Sequence, residues 1–280
     1  MKTILALTDF SPFSINAVHY AADLARDIHA QLIIFNAVQF PVSSRELAVS
    51  GTFMEDILES GNKELDDLVE NIKSRTKGQI FVTSERILGS VESHIRNMSV
   101  RIKPLAIIMG ITPGKSFDRA LMGSAIFYTI NHAPFPVLII PYNTVYKPIK
   151  EIGLACDLED IEKYTPFELL KEWLSLFNAN LNIIYVTVNN EGFKSDQVSE
   201  SITLQNHLKS FNPKFNFIDG NNLYEELNAF SKTNQLDLLI VIPKGHGISN
   251  ALQYSRSRKV ITHNQIPVLA LHKFNSAVNK

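Results

Sequence analysis

Residues 105–124 read LAIIMGITPGKSFDRALMGS. An apolar run, LAIIM over 105–109, meets Gly110. Pro113 and Gly114 follow, then a polar stretch, then Gly123-Ser124. An unbroken apolar run of this length is what a strand covered on both faces looks like. Glycines behind it let the backbone approach a bound group closely. The helix expected over 117–132 would add unpaired N–H groups and the positive end of its dipole. A glycine inside that helix costs about 1 kcal/mol against alanine, so Gly123 needs a packing or ligand reason. The plain alternative is an ordinary strand-to-helix loop.

The same unit recurs along the chain. TILAL, residues 3–7, reads as a buried strand. Ser11-Pro12 then starts a helix, the hydroxyl capping and the proline at the first helical position. That helix is expected over Pro12–His29, with Ile15, Val18, Ala22, Leu24 and Ala25 on its buried side. LIIFNAV (32–38) is a second strand, 41–51 a loop, and 52–77 a long polar helix stopped by Gly78. QIFVTSERI (79–87) is a third strand, followed by a helix near 90–99. PVLIIP (136–141) closes the series. Apolar strands alternating with helices mean a parallel sheet with helices on both faces and right-handed crossovers.

The series then starts again. KEIGLACD (150–157) echoes KTILALTD (2–9), each ending in an aspartate, Asp157 and Asp9. LNIIYVTV (181–188) echoes QLIIFNAV (31–38). LDLLIVIPKGHG (236–247) echoes LAIIMGITPG (105–114), and ITHNQIPVLAL (261–271) echoes TINHAPFPVLI (129–139). The chain is an internal duplication with a period of about 140 residues. The break falls near 143–149, giving domains over 1–145 and 146–280.

Composition narrows the function. The 280 residues are 45% apolar and 20% charged, enough for a core in each half. A net charge of −1 gives no general grip on nucleic acid. The lone Cys156 can neither staple the chain nor build a multi-thiolate metal site, and it lies in an apolar strand as a packed thiol. The N-terminal apolar run is only about five residues, short of a signal segment, and nothing approaches a membrane span of about 18. The expectation is a soluble, cytoplasmic protein with no membrane or nucleic-acid partner and no metal-ligating residues of its own.

In open parallel sheets ligands bind beyond the carboxyl ends of the strands. Asp9 ends the first strand and Gly110 the fourth, which would be neighbours. The stretch from Gly110 to Ser124 resembles the ATP-binding signature of the universal stress protein family: Gly, two residues, Gly, nine residues, Gly, then Ser or Thr. TDFS after the first strand and the closing PVLII strand fit as well, and the resemblance covers nearly the whole chain as a tandem repeat. Here Gly110 and Gly114 enclose three residues, and Gly114 and Gly123 eight. Pro113 thus stands at the middle glycine and supplies no N–H there.

The resemblance implies two Rossmann-like domains of the adenine nucleotide α-hydrolase-like kind, each a five-stranded parallel sheet with helices on both faces. It implies an adenine-nucleotide site in the first domain for ATP, or ADP or AMP, with Mg2+ accompanying ATP. Thr8, Asp9 and Ala37 would lie near the base and ribose, Met109 and Gly110 beside the ribose and phosphates. Gly114, Gly123, Ser124 and Ala125 would hold phosphates. The closing strands would pair antiparallel within the chain as a pseudo-dimer, with association of two chains as a further option.

Aligning the PVL strands puts Val241 at Gly110, Gly245 at Gly114 and Tyr254-Ser255 at Gly123-Ser124. The second copy therefore reads as degenerate, though Lys244, His246 and Arg256 could form another anion site. Gly114-Lys115-Ser116 ends like a Walker loop but has one residue too few and follows the wrong strand. No nucleophile–base pair or carboxylate pair is visible, so the function expected is a nucleotide-binding stress-response sensor with at most weak ATP hydrolysis. The alternative is a tandem module that binds no nucleotide and acts through protein partners. An ATP-using synthetase is disfavoured because TDFSPFS after the first strand lacks its glycine loop. A phosphorelay receiver is disfavoured because its acidic pair is missing.

Overall fold

The computed structural model describes residues 1–38, 51–111, 122–188, 195–244 and 258–273, with backbone alone over 51–61 and 122–124 and at 188. The first half runs β1 (Thr3–Thr8), α1 (Pro12–Asp27), β2 (Gln31–Val38), α2 (Gly51–Arg75), β3 (Val82–Leu88), α3 (Val91–Ile102), β4 (Ala106–Ile111), α4 (Met122–His132) and β5 (Val137–Pro141). The second runs β6 (Glu151–Ala155), α5 (Ile161–Tyr164), α6 (Phe167–Leu174), β7 (Asn180–Val188), α7 (Ser195–Leu208), β8 (Lys214–Gly220), α8 (Leu223–Thr233), β9 (Leu238–Val241) and β10 (Val268–Ala270).

These strands form one sheet in the order β3-β2-β1-β4-β5-β10-β9-β6-β7-β8. Each half is a five-stranded parallel group, as the alternation of strands and helices requires. The groups join where β5 meets β10 antiparallel, Val137–Ile139 against Ala270–Val268. The pseudo-dimer expected from the closing strands is thus built inside one chain.

Two apolar layers flank the sheet, and each runs through both halves. On one face α1, α2, α6 and α7 pack over alternate strand residues such as Ile4, Ile34, Ile108 and Leu269. On the other, α3, α4, α8 and the helical residues 258–263 cover Leu5, Phe35, Ile107 and Val268. Helix α1 is the most deeply set, with Ala17, Val18, Ala21, Ala22, Leu24 and Ala25 all buried. Its small residues let it lie close to the sheet. Ser11 caps it as expected, its hydroxyl accepting from Ser14 N–H at 3.4 Å, with Pro12 next.

Some boundaries differ from the sequence expectation. β3 begins at Val82 rather than 79, because a turn occupies the residues after α2. Gly78 N–H bonds Lys73 O and Gln79 N–H bonds Thr76 O, with Gly78 at φ 68°. The helix after β6 is split, since Pro166 disfavours helical backbone at Thr165, which is extended at ψ 121°. The helix start expected at 117 lies outside the described residues.

Candidate functional site

The carboxyl ends of β1, β2, β3 and β4 share one edge of the first half, because all four run parallel. β1 and β4 are direct neighbours, so Asp9 and Gly110 reach that edge side by side. The turn after β1 is tightly bonded. Thr8 is buried, and its hydroxyl accepts from Phe10 N–H at 3.0 Å and pairs with the Ser14 hydroxyl at 3.0 Å. Ser14 Oγ accepts from Asp9 N–H at 3.3 Å and donates to Ser11 O at 3.0 Å. Asp9 Oδ1 accepts from Ser11 N–H at 3.1 Å and from its hydroxyl at 2.5 Å. One oxygen of Asp9 therefore holds its own turn, as aspartate does. The other has no bond among the described residues.

Gly110 has a clear steric reason. A Cβ there would lie 2.2 Å from Phe13 O and 3.0 Å from Ser14 N. The first turn of α1 rests on β4 through the missing side chain, the close helix–strand packing that glycine permits. The neighbouring Met109 is buried, and Ala37 and Ala125 are half-buried against the same apolar layer. Gly123 and Ser124 lie in α4; the segment leading into it, 112–121, lies outside the described residues. Gly114 lies outside the described residues.

Sequence reading missed three groups at this edge. Ser14 is one. The second is Asn36, whose amide donates to Thr8 O at 2.8 Å while its Oδ1 is buried without a partner among the described residues. The third is Arg86, opposite Asn36 in the β2–β3 ladder, with Nε and Nη1 buried and equally unpartnered. The signal for Asn36 was present, as the one polar residue inside LIIFNAV.

The second half repeats two bonds of the turn and then diverges. Leu158 N–H bonds Cys156 Sγ at 3.4 Å, where Phe10 N–H bonds Thr8. Glu159 N–H bonds Asp157 Oδ1 at 3.2 Å, and Phe10 and Leu158 both have positive φ, 62° and 51°. Lys244, almost fully buried, then reaches in from the end of β9. Its ammonium donates to Asp157 Oδ1 and to Glu159 O, each at 2.7 Å. The cation that could have served a separate anion site is already committed; His246 and Arg256 lie outside the described residues. Burial, with the Asp157 charge added, pushes the Cys156 thiol up to about 12, so it is an inert packed thiol.

The strand ladders also correct one equivalence. Val137 pairs Ile107 in the first half, and Val268 pairs Leu239 in the second. Ile107 thus corresponds to Leu239 and Gly110 to Ile242, not Val241. Counting back from the closing strand goes wrong because the intervening segment is one residue shorter in the second half. Where α1 needs a glycine, the second copy carries isoleucine.

Among the described residues no cluster of three or more His, Cys, Asp or Glu could hold a metal ion. No described helix is long and apolar enough to cross a membrane.

Comparison with known proteins gives the family. The model of the universal stress protein family matches residues 1–141. The chain belongs to the universal stress protein family. Its fold is similar to that of a universal stress protein from Archaeoglobus fulgidus, at TM-score 0.72 and 15% identity over 96% of this chain and 97% of that one. It is also similar to a protein described as a putative universal stress protein from Pseudomonas aeruginosa, at TM-score 0.60 and 14% identity over 97% and 93%. No curated protein matches the chain.

Proposed function

We propose that the first half, residues 1–145, binds an adenine nucleotide, ATP or its di- or monophosphate, with Mg2+ accompanying the triphosphate. The protein acts as a stress-response sensor whose ligand shifts a conformational population or the choice of protein partner, with at most weak hydrolysis. The observation that carries this reading is the adjacency of β1 and β4, which brings Asp9 and Met109-Gly110 to one edge. Asp9 keeps one carboxylate oxygen for a ribose or base. Met109 and Ala37 supply apolar surface for a base, and the first turn of α4 supplies N–H groups for phosphates. Arg86, half-buried with its Nε and Nη1 covered and without a partner among the described residues, favours an anionic ligand nearby. Residues 146–280 are the copy that has lost the site, with Lys244 filling the crevice from within.

The test is calorimetry on the whole chain with ATP, ADP and AMP. One nucleotide per chain is expected, lost in Gly123→Tyr, which copies the tyrosine of the second half. No binding to the native chain overturns the proposal. The second reading, a tandem module acting only through protein partners, is favoured by one observation: the steric need of α1 already accounts for Gly110 without a phosphate.

A further inference from the structure

The two halves meet along β5 and β10, and the two ends of that seam differ. At one end His272 Nε2 donates to Ala133 O at 2.7 Å, joining the halves directly. At the other a cavity of about 410 Å³ opens between α1, the connector 142–147 and the segments entering β9 and β10. That volume falls within the range of small-molecule sites, which favour domain junctions. It opens beyond the carboxyl end of β5, on the same sheet edge as the β1–β4 crevice, but shares none of the residues placed in that crevice above.

The lining carries polar groups that the fold does not use up. Tyr20 is only 3% exposed, with its ring edge-on to Tyr146 at 5.1 Å. Its hydroxyl makes no hydrogen bond among the described residues. Burial, and then the Asp237 charge, keep that phenol protonated, so it remains a donor. Asp237 Oδ2 accepts from Lys150 N–H at 2.9 Å and Glu151 N–H at 3.0 Å, which fixes the carboxylate in place. Its Oδ1 has no bond among the described residues. Lys147 lines the same cavity from the exposed connector and makes no ion pair among the described residues. Tyr142, Leu236 and Ile266 give apolar wall between them.

We propose that this seam cavity binds a small zwitterion of the amino-acid type with an apolar side chain. Its ammonium sits on Asp237, its carboxylate on Lys147 and the Tyr20 hydroxyl, and its side chain against Tyr142, Leu236 and Ile266. A plain amine would leave Lys147 facing a like charge, and a plain acid would leave Asp237 so. A zwitterion satisfies both. Because the lining comes from both halves, the ligand clamps the seam.

The experiment titrates L-leucine, 3-methylbutylamine and 4-methylpentanoate into the whole chain by calorimetry. Leucine binds at one site per chain, and each single-charge analogue binds about tenfold weaker or worse. Tyr20→Phe and Lys147→Met each weaken leucine by at least about fivefold, a charge-assisted hydrogen bond being involved in both. Tyr20→Phe removes one oxygen and keeps the ring packing, and its unfolding midpoint is recorded alongside. Leucine binding survives in Gly123→Tyr, which separates this site from the nucleotide reading. No leucine binding, equal binding of an analogue, or leucine affinity unchanged in both variants overturns the proposal.

Discussion

Replacing Gly110 by alanine isolates the contact that seats α1 on the sheet. The added Cβ would stand 2.2 Å from Phe13 O and 2.7 Å from its carbonyl carbon. Ordinary contact begins near 3.4 Å, so backbone must retreat by about 1 Å, and overpacking of this kind costs about 1–3 kcal/mol. The upper part of that range is expected, because the obstacle is main chain on a helix anchored by a fully buried alanine face. Gly153→Ala is the matched control in the second half. There the Cβ meets the methyl ends of Leu236, Ile184 and Leu239 at 2.6, 2.9 and 3.1 Å. Those side chains can turn aside, so the cost stays under about 1 kcal/mol. In urea, 2–3 kcal/mol at a slope of about 2 kcal/mol per molar moves the midpoint by roughly 1 M. Gly110→Ala should show that shift, and Gly153→Ala less than half of it. Equal shifts in the two, or a neutral Gly110→Ala, would refute the claim that α1 rests on β4 through this glycine.

Further outcomes are open to measurement. Asp157→Asn leaves the buried Lys244 ammonium unpaired and should cost about 1–2 kcal/mol, reduced because Asp157 itself is partly exposed; urea unfolding reads it, and an unchanged midpoint counts against the closed crevice. Burial lowers the pKa of His272 below 6.5, so the unfolded chain binds the proton first. Its contribution is present above pH 6.5 and is lost as pH falls through the folded value. His272→Gln, which retains a donor for Ala133, should flatten the acid side of the stability profile, whereas a parallel profile would reject the assignment; the lowered His19 supplies residual slope. Cys156 should react with iodoacetamide at pH 8 far more slowly in the native chain than in urea, since its thiol is pushed up to about 12. Comparable rates would show the thiol to be accessible.

The architecture was legible because a doubly covered parallel strand has nowhere to put polar side chains. TILAL, LAIIM and PVLII announce β1, β4 and β5, and Ser11-Pro12 announces α1. The duplication was legible through the same runs, and the antiparallel seam followed from the family resemblance of the closing strands. What was not legible depends on through-space placement. Gly110 looks like a ligand-loop glycine in the sequence, and only the position of Phe13 shows that a helix needs it. Lys244 reads as a free cation until Asp157 appears 2.7 Å away. The equivalence of Ile242 with Gly110 is carried by hydrogen-bond register, which a residue count across a shortened segment misses. Asn36 and Arg86 are adjacent only because β2 and β3 pair, though they lie far apart in the chain.

Joining β5 to β10 within one polypeptide changes what mutation can do to this protein. In a symmetric dimer of identical copies every substitution appears twice, so an altered pocket is altered in both subunits. Here the two sides of the seam are separately encoded. One side could place a lysine on its turn aspartate while the other left the equivalent aspartate without one among the described residues, and neither change had to be tolerated in duplicate. The covalent link also fixes the ratio of the two kinds of half at one to one at any concentration, which no mixture of separate subunits guarantees. The tandem chain is in this sense an asymmetric dimer whose two members are inherited together and diverge independently.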